Sequence, residues 1–398
     1  MQEYLSKGPG TGGVLKAAPQ DFLVEEIAPD GAIYELGRQF SGPETDGPYT
    51  HFILQKKNWT SASAISEIAL RLRVSQRQFN IAGIKDKVAI TTQLASVRGD
   101  QRAALGSLPI KDISVNGTWK AGDRVHMGQL LGNRFTITVR DACEGAAGRV
   151  EAVSGELDKK MPNYFGEQRF GSSRRNTHLV GRKLLQGGLE DAAIMFLCDI
   201  SNEADAEAVA ARKELADTRD FSRALQYYPA RLRLERSLIA YLAKNPGKYA
   251  EALRRLPRNI LLLFIHAFQS HLFNDLLSRR LSEGALELEE GEYFCGERLG
   301  FPDASRAEAE GWICGKIIGY GTPLNAREKD ALAEAGIEKE AFRMKALPEL
   351  ASKGTYRTLL APLKGFSVSS SESGMRFRFE LPSGSYATVA MREFTKNG

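Results

Sequence analysis

The segment GIKDK, residues 83–87, places one carboxylate between two ammonium groups. Apolar, β-leaning runs lie on both sides of it, so the segment is predicted to connect the two strands of a hairpin. A surface turn readily contains Asp and Gly, and this composition is therefore typical of a plain connection. A segment that carries a reactive carboxylate, kept ionised by neighbouring cations, would have the same composition. The local sequence leaves both interpretations of Asp86 open.

A second concentration of functional side chains lies in PNYFGEQRFGSSRRN, residues 162–176. Its residue types suit a pocket for an unstacked base, because an Asn amide reads a Watson–Crick edge, an aromatic ring stacks and glycine lets the backbone approach. A loop whose aromatic rings fill the core is the alternative. The chain has no acidic residue from Gln168 through Leu189, which fits either a phosphate-binding strip or a solvated loop. The cations of this stretch are Arg169, Arg174, Arg175, Arg182 and Lys183.

Length and composition are those of an ordinary soluble protein with two domains. The chain has 398 residues, which exceeds the size at which one core keeps growing, and 42% of them are hydrophobic and 26% charged. Apolar runs such as 260–265 are far too short to span a membrane, and the N-terminus lacks the apolar region of a secretory signal. We therefore expect a cytoplasmic protein, and its net charge of +5 is compatible with a polyanionic partner.

Neither a metal site nor a nucleotide-cofactor site is predicted. The four cysteines contain no CxxC pair, and His266 and His271 lie five residues apart, which misses the spacing of a helical zinc pair. The glycine-rich stretches GPGTGG, 8–13, and GWICGKI, 311–317, lack the flanking elements or the spacing of a phosphate-binding loop. We therefore expect no cofactor.

The elements that would position these groups are strands and helices in alternation. Residues 14–26 are predicted to form a strand, a Pro-containing turn and another strand, and residues 133–141 a half-buried strand. Helices are predicted over 60–74, with a Thr-Ser pair available as the cap, and over 146–160. Together with the hairpin around Asp86, these elements indicate an α+β domain.

The middle of the chain has a different character. Residues 176–260 are predicted to form successive helices, and 258–281 a largely buried helix capped by Asn259. The last forty residues are predicted to return to strands, as a hairpin across Pro382-Ser383-Gly384. We therefore expect an α+β fold in which a domain with a mixed or antiparallel sheet is interrupted by a large, mostly helical α+β domain. The expected boundaries are 1–175 with 361–398 for the first domain, and 176–360 for the second.

Six separated blocks of the sequence resemble the TruD-type tRNA pseudouridine synthases. They occur in the family's order and span nearly the whole chain, so the set is specific although GxKD alone would not be. The resemblance implies that the interrupted domain is the catalytic domain of the pseudouridine synthase fold, and that the helical one is the family's insertion domain. The blocks are GTGGVLKAAPQDFLVEE, AGIKDKVAITTQ, LLGNRFTITVR, PNYFGEQRFG, AFQSHLFN and LPSGSYATVAMRE.

The resemblance also implies a reaction: isomerisation of a uridine in folded tRNA, at position 13 in this family, without cofactor or metal. The N1–C1′ bond breaks, the uracil turns, and C5 is joined to C1′. The family's catalytic aspartate corresponds to Asp86, which attacks C1′ as a nucleophile or removes the C2′ proton as a base. Positive charge that builds on the sugar explains why the chemistry needs an ionised carboxylate. The implied partner is tRNA, and we expect a monomer.

A cation should keep this carboxylate ionised beside a base. Lys85 and Lys87 are adjacent to Asp86, but in an extended segment their side chains would point away from it. The family match favours Lys16 as the partner.

Four further positions correspond to residues that contact the substrate in this family. Phe165 matches the aromatic residue that packs on the flipped base, and Asn163 matches a substrate-contacting asparagine. Phe22 and Tyr386 match two more positions, for which core packing is the alternative; some members have phenylalanine in place of Tyr386. The same blocks contain four polar residues whose roles stay open: Arg169, Gln269, Ser270 and Asn274.

Two other functions fit parts of this pattern. An RNA-binding protein that flips a uridine without isomerising it would keep the basic stretch and the aromatic rings, but it would not need an ionised Asp86. A nucleosidase-like hydrolase would cleave the same glycosidic bond and release free uracil.

Overall fold

A computed structural model describes residues 2–171, 174–371 and 374–397. The chain divides into two compact units. The sheet unit comprises Leu5–Pro162, Glu297–Asp303 and Leu360–Gly398, and the helical unit comprises Met1–Tyr4, Asn163–Gly296 and Ala304–Leu359.

The units divide the chain at different residues from those expected. The first division follows Pro162, not residue 175, so nearly all of the PNYFGEQRFG block belongs to the helical unit. The physical reason lies at the start of this block, where the Asn163 amide donates to the carbonyl of Leu359, 2.8 Å away in the same unit. This bond connects the block to the residue at which the helical unit ends.

The strands, in chain order, are β1 (Phe22–Ile27), β2 (Tyr49–Lys57), β3 (Phe79–Ile81), β4 (Ile90–Arg98), β5 (Ile113–Ala121), β6 (Gly132–Val139), β7 (Lys160–Pro162), β8 (Tyr293–Arg298), β9 (Phe301–Glu308), β10 (Trp312–Ile317), β11 (Thr355–Thr358), β12 (Leu360–Pro362), β13 (Lys364–Ser371) and β14 (Gly374–Pro382). The α-helices are α1 (Ser61–Leu72), α2 (Arg102–Gly106), α3 (Ala146–Leu157), α4 (Thr177–Leu185), α5 (Leu189–Cys198), α6 (Ala206–Thr218), α7 (Phe221–Tyr227), α8 (Arg233–Lys244), α9 (Tyr249–Leu253), α10 (Arg258–Glu283), α11 (Ala326–Ala335) and α12 (Ala387–Thr395).

The sheet unit is built on a mixed sheet of eight strands from the described part of the chain. The strand order is β13-β14-β6-β1-β4-β2-β5, and β3 pairs with β4. Strands β1 and β4 are parallel, whereas the other described strand pairs of this sheet are antiparallel. Strand β6 pairs with β1 on one side and with β14 on the other, and six of its eight residues are buried, more than in the predicted half-buried strand.

Local signals in the sequence located several elements of this unit well. Helix α1 begins at Ser61, and Thr60 is its cap: the Thr60 side chain accepts a hydrogen bond from the Ser63 amide. Helix α3 and strand β6 occupy the predicted stretches. The strand predicted at residue 14 is wrong, since Val14 forms only an isolated bridge with Arg140 before the chain enters β1.

The predicted C-terminal hairpin across Pro382-Ser383-Gly384 is also wrong. The chain passes from β14 into helix α12, and the hairpin of this region joins β13 to β14 instead. The apolar residues of 387–395 alternate in part, but their burial follows the helical period, and Phe394 stacks on Phe366 with the ring centroids 5.0 Å apart. Packing in the core therefore decided between helix and strand.

In the helical unit, helices α4 to α9 occupy the predicted helical stretch and share one hydrophobic core with α10 and α11. Helix α10 begins at Arg258 after Pro257, which makes no side-chain cap, so the predicted Asn259 cap is wrong. By length and composition alone α10 could cross a membrane, but 67% of its most apolar window is buried within the fold, as in a core helix. A small sheet of order β11-β10-β8-β9 completes the unit, and the tip of its β8–β9 hairpin, Glu297–Asp303, belongs to the sheet unit.

Candidate active site

Asp86 lies in the loop 82–89, which connects β3 to its antiparallel neighbour β4. Both ends of the loop are fixed: the Gly128 amide donates to the carbonyl of Ala82 at 2.7 Å, and the Asn58 amide donates to the carbonyl of Ala89 at 3.0 Å. Because these bonds join the loop to the surrounding chain, the backbone around Asp86 is preorganised.

Side chains hold the middle of this loop. The Gln93 side chain donates to the carbonyl of Gly83 at 2.9 Å, and the Lys85 amide donates to Ser61 Oγ at 3.1 Å. Ser61 Oγ in turn donates to Gln93 Oε1 at 3.0 Å. The start of α1 and the middle of β4 thus support the loop together.

The two lysines beside Asp86 have different environments. Lys85 is buried, and its Nζ lies 2.6 Å from a carboxylate oxygen of Glu26 in β1. Lys87 is exposed. Lys85 is therefore committed to an ion pair with Glu26.

Lys16, by contrast, lies at the Asp86 carboxylate. Its Nζ is 3.3 Å from Asp86 Oδ1, and the two side chains are 21% and 25% exposed. The same ammonium group lies 4.1 Å from the centroid of the Phe22 ring, in cation–π geometry. The fold therefore brings together three residues that the sequence analysis selected separately.

Lys16 and Phe22 flank a tightly held turn. The Arg140 guanidinium makes two hydrogen bonds of 2.8 Å to the Asp21 carboxylate, which also accepts a bond from the Ala18 amide at 2.9 Å. The hydrogen bonds from Arg140 lower the pKa of Asp21 below its usual value. Lys16 itself has a backbone φ of 56°, in the left-handed region, so its placement depends on this support.

Phe22 and Tyr386 have different accessibility in the sheet unit. The Phe22 ring is only 1% exposed and packs edge-on against Phe135. Tyr386 is half-buried at the N-cap of α12, where its carbonyl accepts bonds from the amides of Val389 and Ala390. Of the two rings, Tyr386 is therefore the more accessible to a ligand.

Asn163, in the helical unit, is 3% exposed and hydrogen-bonded at both ends of its side-chain amide. Its Nδ2 donates to the carbonyl and the hydroxyl of Thr358 at 3.1 and 3.0 Å, and its Oδ1 accepts a bond from Arg357 Nη2 at 2.6 Å. Arg357 Nε also donates to the Asn163 carbonyl at 2.8 Å. The amide thus fixes Arg357 in a defined orientation.

The half-buried ring of Phe165 lies under the guanidinium of Arg357, whose Cζ is 4.2 Å from the ring centroid. Phe273 packs edge-on against the same ring at 5.7 Å. The Asn274 side chain holds the Phe165 backbone, since its Oδ1 accepts from the Phe165 amide at 2.8 Å and its Nδ2 donates to the Phe165 carbonyl at 2.9 Å. Asn274 therefore has a structural role here.

Gln269 and Ser270, whose roles the sequence left open, also make structural contacts. The Gln269 side chain donates to the carbonyl of Ile318 at 2.6 Å and to Ser352 Oγ at 2.9 Å. Ser270 Oγ accepts a hydrogen bond from Arg169 Nε at 3.2 Å. These polar residues of α10 join the helix to its neighbours in the helical unit.

The cations of the acid-free stretch are engaged with protein groups. Arg174, whose side chain is 10% exposed, lies 3.3 Å from a carboxylate oxygen of Glu235, and the other members also have partners within the helical unit. Arg169 contacts Ser270, Arg175 contacts Glu167, Arg182 contacts the carbonyl of Ala335 and Lys183 contacts Asp191. The stretch therefore forms ion pairs and helix-end contacts, which the sequence did not predict.

Two residues near the predicted ones were missed by the sequence analysis. Arg357 lies outside the six blocks and comes beside Asn163 only through folding. Lys56, in β2, donates to the carbonyl of Asp86 at 2.7 Å. Since neither has a distinctive local pattern, no signal in the single sequence could have found them.

The α+β fold with its mixed sheet agrees with the pseudouridine synthase class. Residues 1–394 match the family described as tRNA pseudouridine synthase D (TruD). The chain belongs to the TruD family of tRNA pseudouridine synthases, which are isomerases.

Individual relatives resemble the chain over its whole length. A Thermococcus sibiricus protein named "Probable tRNA pseudouridine synthase D" is 35% identical over 99% of this chain and 97% of its own length. A Pyrococcus furiosus protein of the same name is 36% identical over 99% of this chain and 98% of its own length. The crystal structure of a Methanosarcina mazei protein assigned to TruD has a TM-score of 0.79 and 32% identity, and the match covers 100% of this chain and 96% of that one. The expected α+β fold class is therefore confirmed.

Proposed function

We propose that this protein converts a uridine of tRNA, expected at position 13, to pseudouridine, and that Asp86 is the catalytic residue. The observation that carries the assignment of Asp86 is the Lys16 ammonium 3.3 Å from its carboxylate. A neighbouring positive charge favours the ionised carboxylate, which is the form that can act as nucleophile or base. Membership of a tRNA pseudouridine synthase family supports the choice of reaction and substrate.

The reaction needs no redox partner, because it rearranges one nucleotide. The N1–C1′ bond breaks, a C5–C1′ bond forms, the proton on C5 leaves and N1 gains a proton. Asp86 either bonds to C1′ during the exchange or takes the C2′ proton to give a transient alkene. Both routes use the same ionised carboxylate and return it unchanged.

The roles of the other residues are part of the proposal. Lys16 places a positive charge beside the Asp86 carboxylate, and Phe22, Asn163, Phe165 and Tyr386 contribute to substrate binding. Arg357 restrains the Phe165 ring, as its position 4.2 Å above the ring suggests. We further propose that the sheet unit is the catalytic domain and the helical unit the TruD-type insertion domain, in a cytoplasmic monomer that requires no cofactor.

The test uses tRNA labelled with tritium at C5 of uridine, incubated with the purified full chain and no added cofactor. Tritium release by the wild type without free uracil, and no release by Asp86→Asn, is the expected result. Asp112→Asn is the matched control, since this exposed aspartate lies in another loop of the sheet unit. Turnover by Asp86→Asn would remove Asp86 as catalyst. Release of free uracil would indicate hydrolysis, and binding of tRNA without tritium release would indicate an RNA-binding protein.

A further inference from the structure

We propose that Lys56 is a positioning residue for Asp86, which orients the Asp86 main chain from inside the sheet unit and supplies a second positive charge to its carboxylate. This inference rests on the proposed catalytic role of Asp86. It assigns a function to a buried cation that the mechanism above does not use.

The contact is specific in its geometry. Lys56 is fully buried, at 0% exposure, and its Nζ donates to the Asp86 carbonyl oxygen at 2.7 Å. The loop bonds described above fix the residues on both sides of Asp86, whereas this bond fixes Asp86 itself. Because a carbonyl oxygen and the Cα of its own residue are covalently coupled, the bond restrains the direction in which the carboxylate points.

The charge of Lys56 has no ion-pair partner within 4 Å among the residues that the structure describes. A buried ammonium group without such a partner is unfavourable, so the fold maintains it against a desolvation penalty. Lys85, the other buried ammonium nearby, is compensated by Glu26 at 2.6 Å. The nearby negative charge that stabilises the charged form of Lys56 is therefore that of Asp86.

Two ammonium groups thus act on one carboxylate from different directions. Lys16 contacts the carboxylate directly at the partly exposed side, and Lys56 approaches through the backbone from the interior. A water-excluded charge acts more strongly than an exposed one, since the local dielectric constant is lower. Losing the Lys56 charge should therefore reduce the reactivity of Asp86 even where Lys16 remains.

Lys56 also loses its charge within a pH range that an activity assay can cover. Burial lowers its pKa to about 8, the Asp86 carboxylate opposes this shift, and Lys85 adds to it. The residues paired with Lys56 in the flanking strands, Thr91 in β4 and Ile113 in β5, carry no charge. Turnover by the wild type should accordingly fall above about pH 8, as Lys56 loses its proton.

The experiment compares the wild type, Lys56→Met and Lys57→Met by single-turnover tritium release from about pH 6.5 to about pH 9.5. Lys57 is the matched control, because neighbouring side chains in a strand point to opposite faces. At neutral pH we expect Lys56→Met to react about 10- to 100-fold more slowly, with tRNA affinity changed by less than about twofold. Above pH 8 the variant should lose the alkaline fall of the wild type.

A Lys56→Met protein that reacts at the wild-type rate would overturn the proposal. So would a slow variant that keeps the same alkaline fall, since loss of structure alone would give that result. If Lys56→Met does not fold, as judged by circular dichroism, Lys56→Gln takes its place, with the same expected and contrary outcomes. Failure of the proposed function itself would look different. In that case the wild type would release no tritium, or the Asp86→Asn variant would still release tritium.

Discussion

The Lys16 ammonium group lies 3.3 Å from the Asp86 carboxylate, although the two residues come from separate segments of the chain. Lys16 precedes β1, and Asp86 follows β3, so the pair depends on the packing of both segments in the sheet unit. Both side chains remain partly exposed, at 21% and 25%. An ion pair between partly exposed side chains contributes little to the stability of a fold, and its proposed role is to place a positive charge beside the carboxylate.

Replacement of Lys16 should therefore affect chemistry more than folding. We expect Lys16→Met to reduce single-turnover rate about 100-fold or more, because the carboxylate loses its direct cation, while the unfolding free energy changes by less than about 1 kcal/mol. Lys16→Arg should recover part of the rate. Tritium release and urea denaturation measure the two quantities. A Lys16→Met protein that is fully active would remove Lys16 from the site.

A second prediction concerns the turnover of variants at Phe165 and Arg357. Phe165→Ala should reduce turnover by an amount equivalent to about 1–3 kcal/mol, since the variant cannot stack on a base. Arg357→Met should cause a smaller loss, because the ring remains but its restraint at 4.2 Å is gone. Phe170→Ala is the matched control, as the Phe170 ring contacts His178 and His271 instead. Equal kinetics for Phe165→Ala and wild type would assign Phe165 to packing.

The hydrogen bonds between Asp21 and Arg140 lead to a predicted pH dependence of the unfolding free energy. They lower the folded-state pKa of Asp21 below the ordinary value of 3.8. The stabilisation is therefore complete above that value and is lost as the pH falls through the folded-state pKa. We expect Asp21→Asn to reduce the unfolding free energy by about 1–3 kcal/mol at neutral pH, with the difference from wild type shrinking in acid. Urea denaturation of both proteins at neutral pH and in acid measures this difference in unfolding free energy. A difference that does not change with pH would contradict the role of the Asp21 carboxylate.

Lys56 leads to a predicted pH dependence of the same sign, but in the alkaline range. Burial lowers its pKa from 10.5 to about 8, so between these values the folded protein has released a proton that the unfolded chain retains. The unfolding free energy should therefore rise with pH in this interval, by at most about 3 kcal/mol from this group. The comparison is between the wild type and Lys56→Met, which lacks the titration, at about pH 7 and about pH 10. A constant difference between the two proteins would show that the folded-state pKa of Lys56 is not lowered.

The sequence by itself determined the elements that have strong local signals. The Thr60 cap set the start of α1, and the strand pattern around GIKDK set the hairpin that carries Asp86. Such features depend on side-chain period and cap chemistry within a few residues, so they can be recognised without long-range information. The ordered blocks also identified the family, which the comparisons confirmed.

Only the tertiary structure decided which side chains meet. Lys56 and Asp86 are joined by strand register and loop path, and Arg357 reaches Asn163 through the pairing of distant segments. Helix α12 is a further example. Its sequence alone also fits a strand, and the helix is recognised only from the packing of Phe394 on Phe366. Contacts between residues far apart in the chain depend on how complete elements pack, and this information is not contained in any short stretch of sequence.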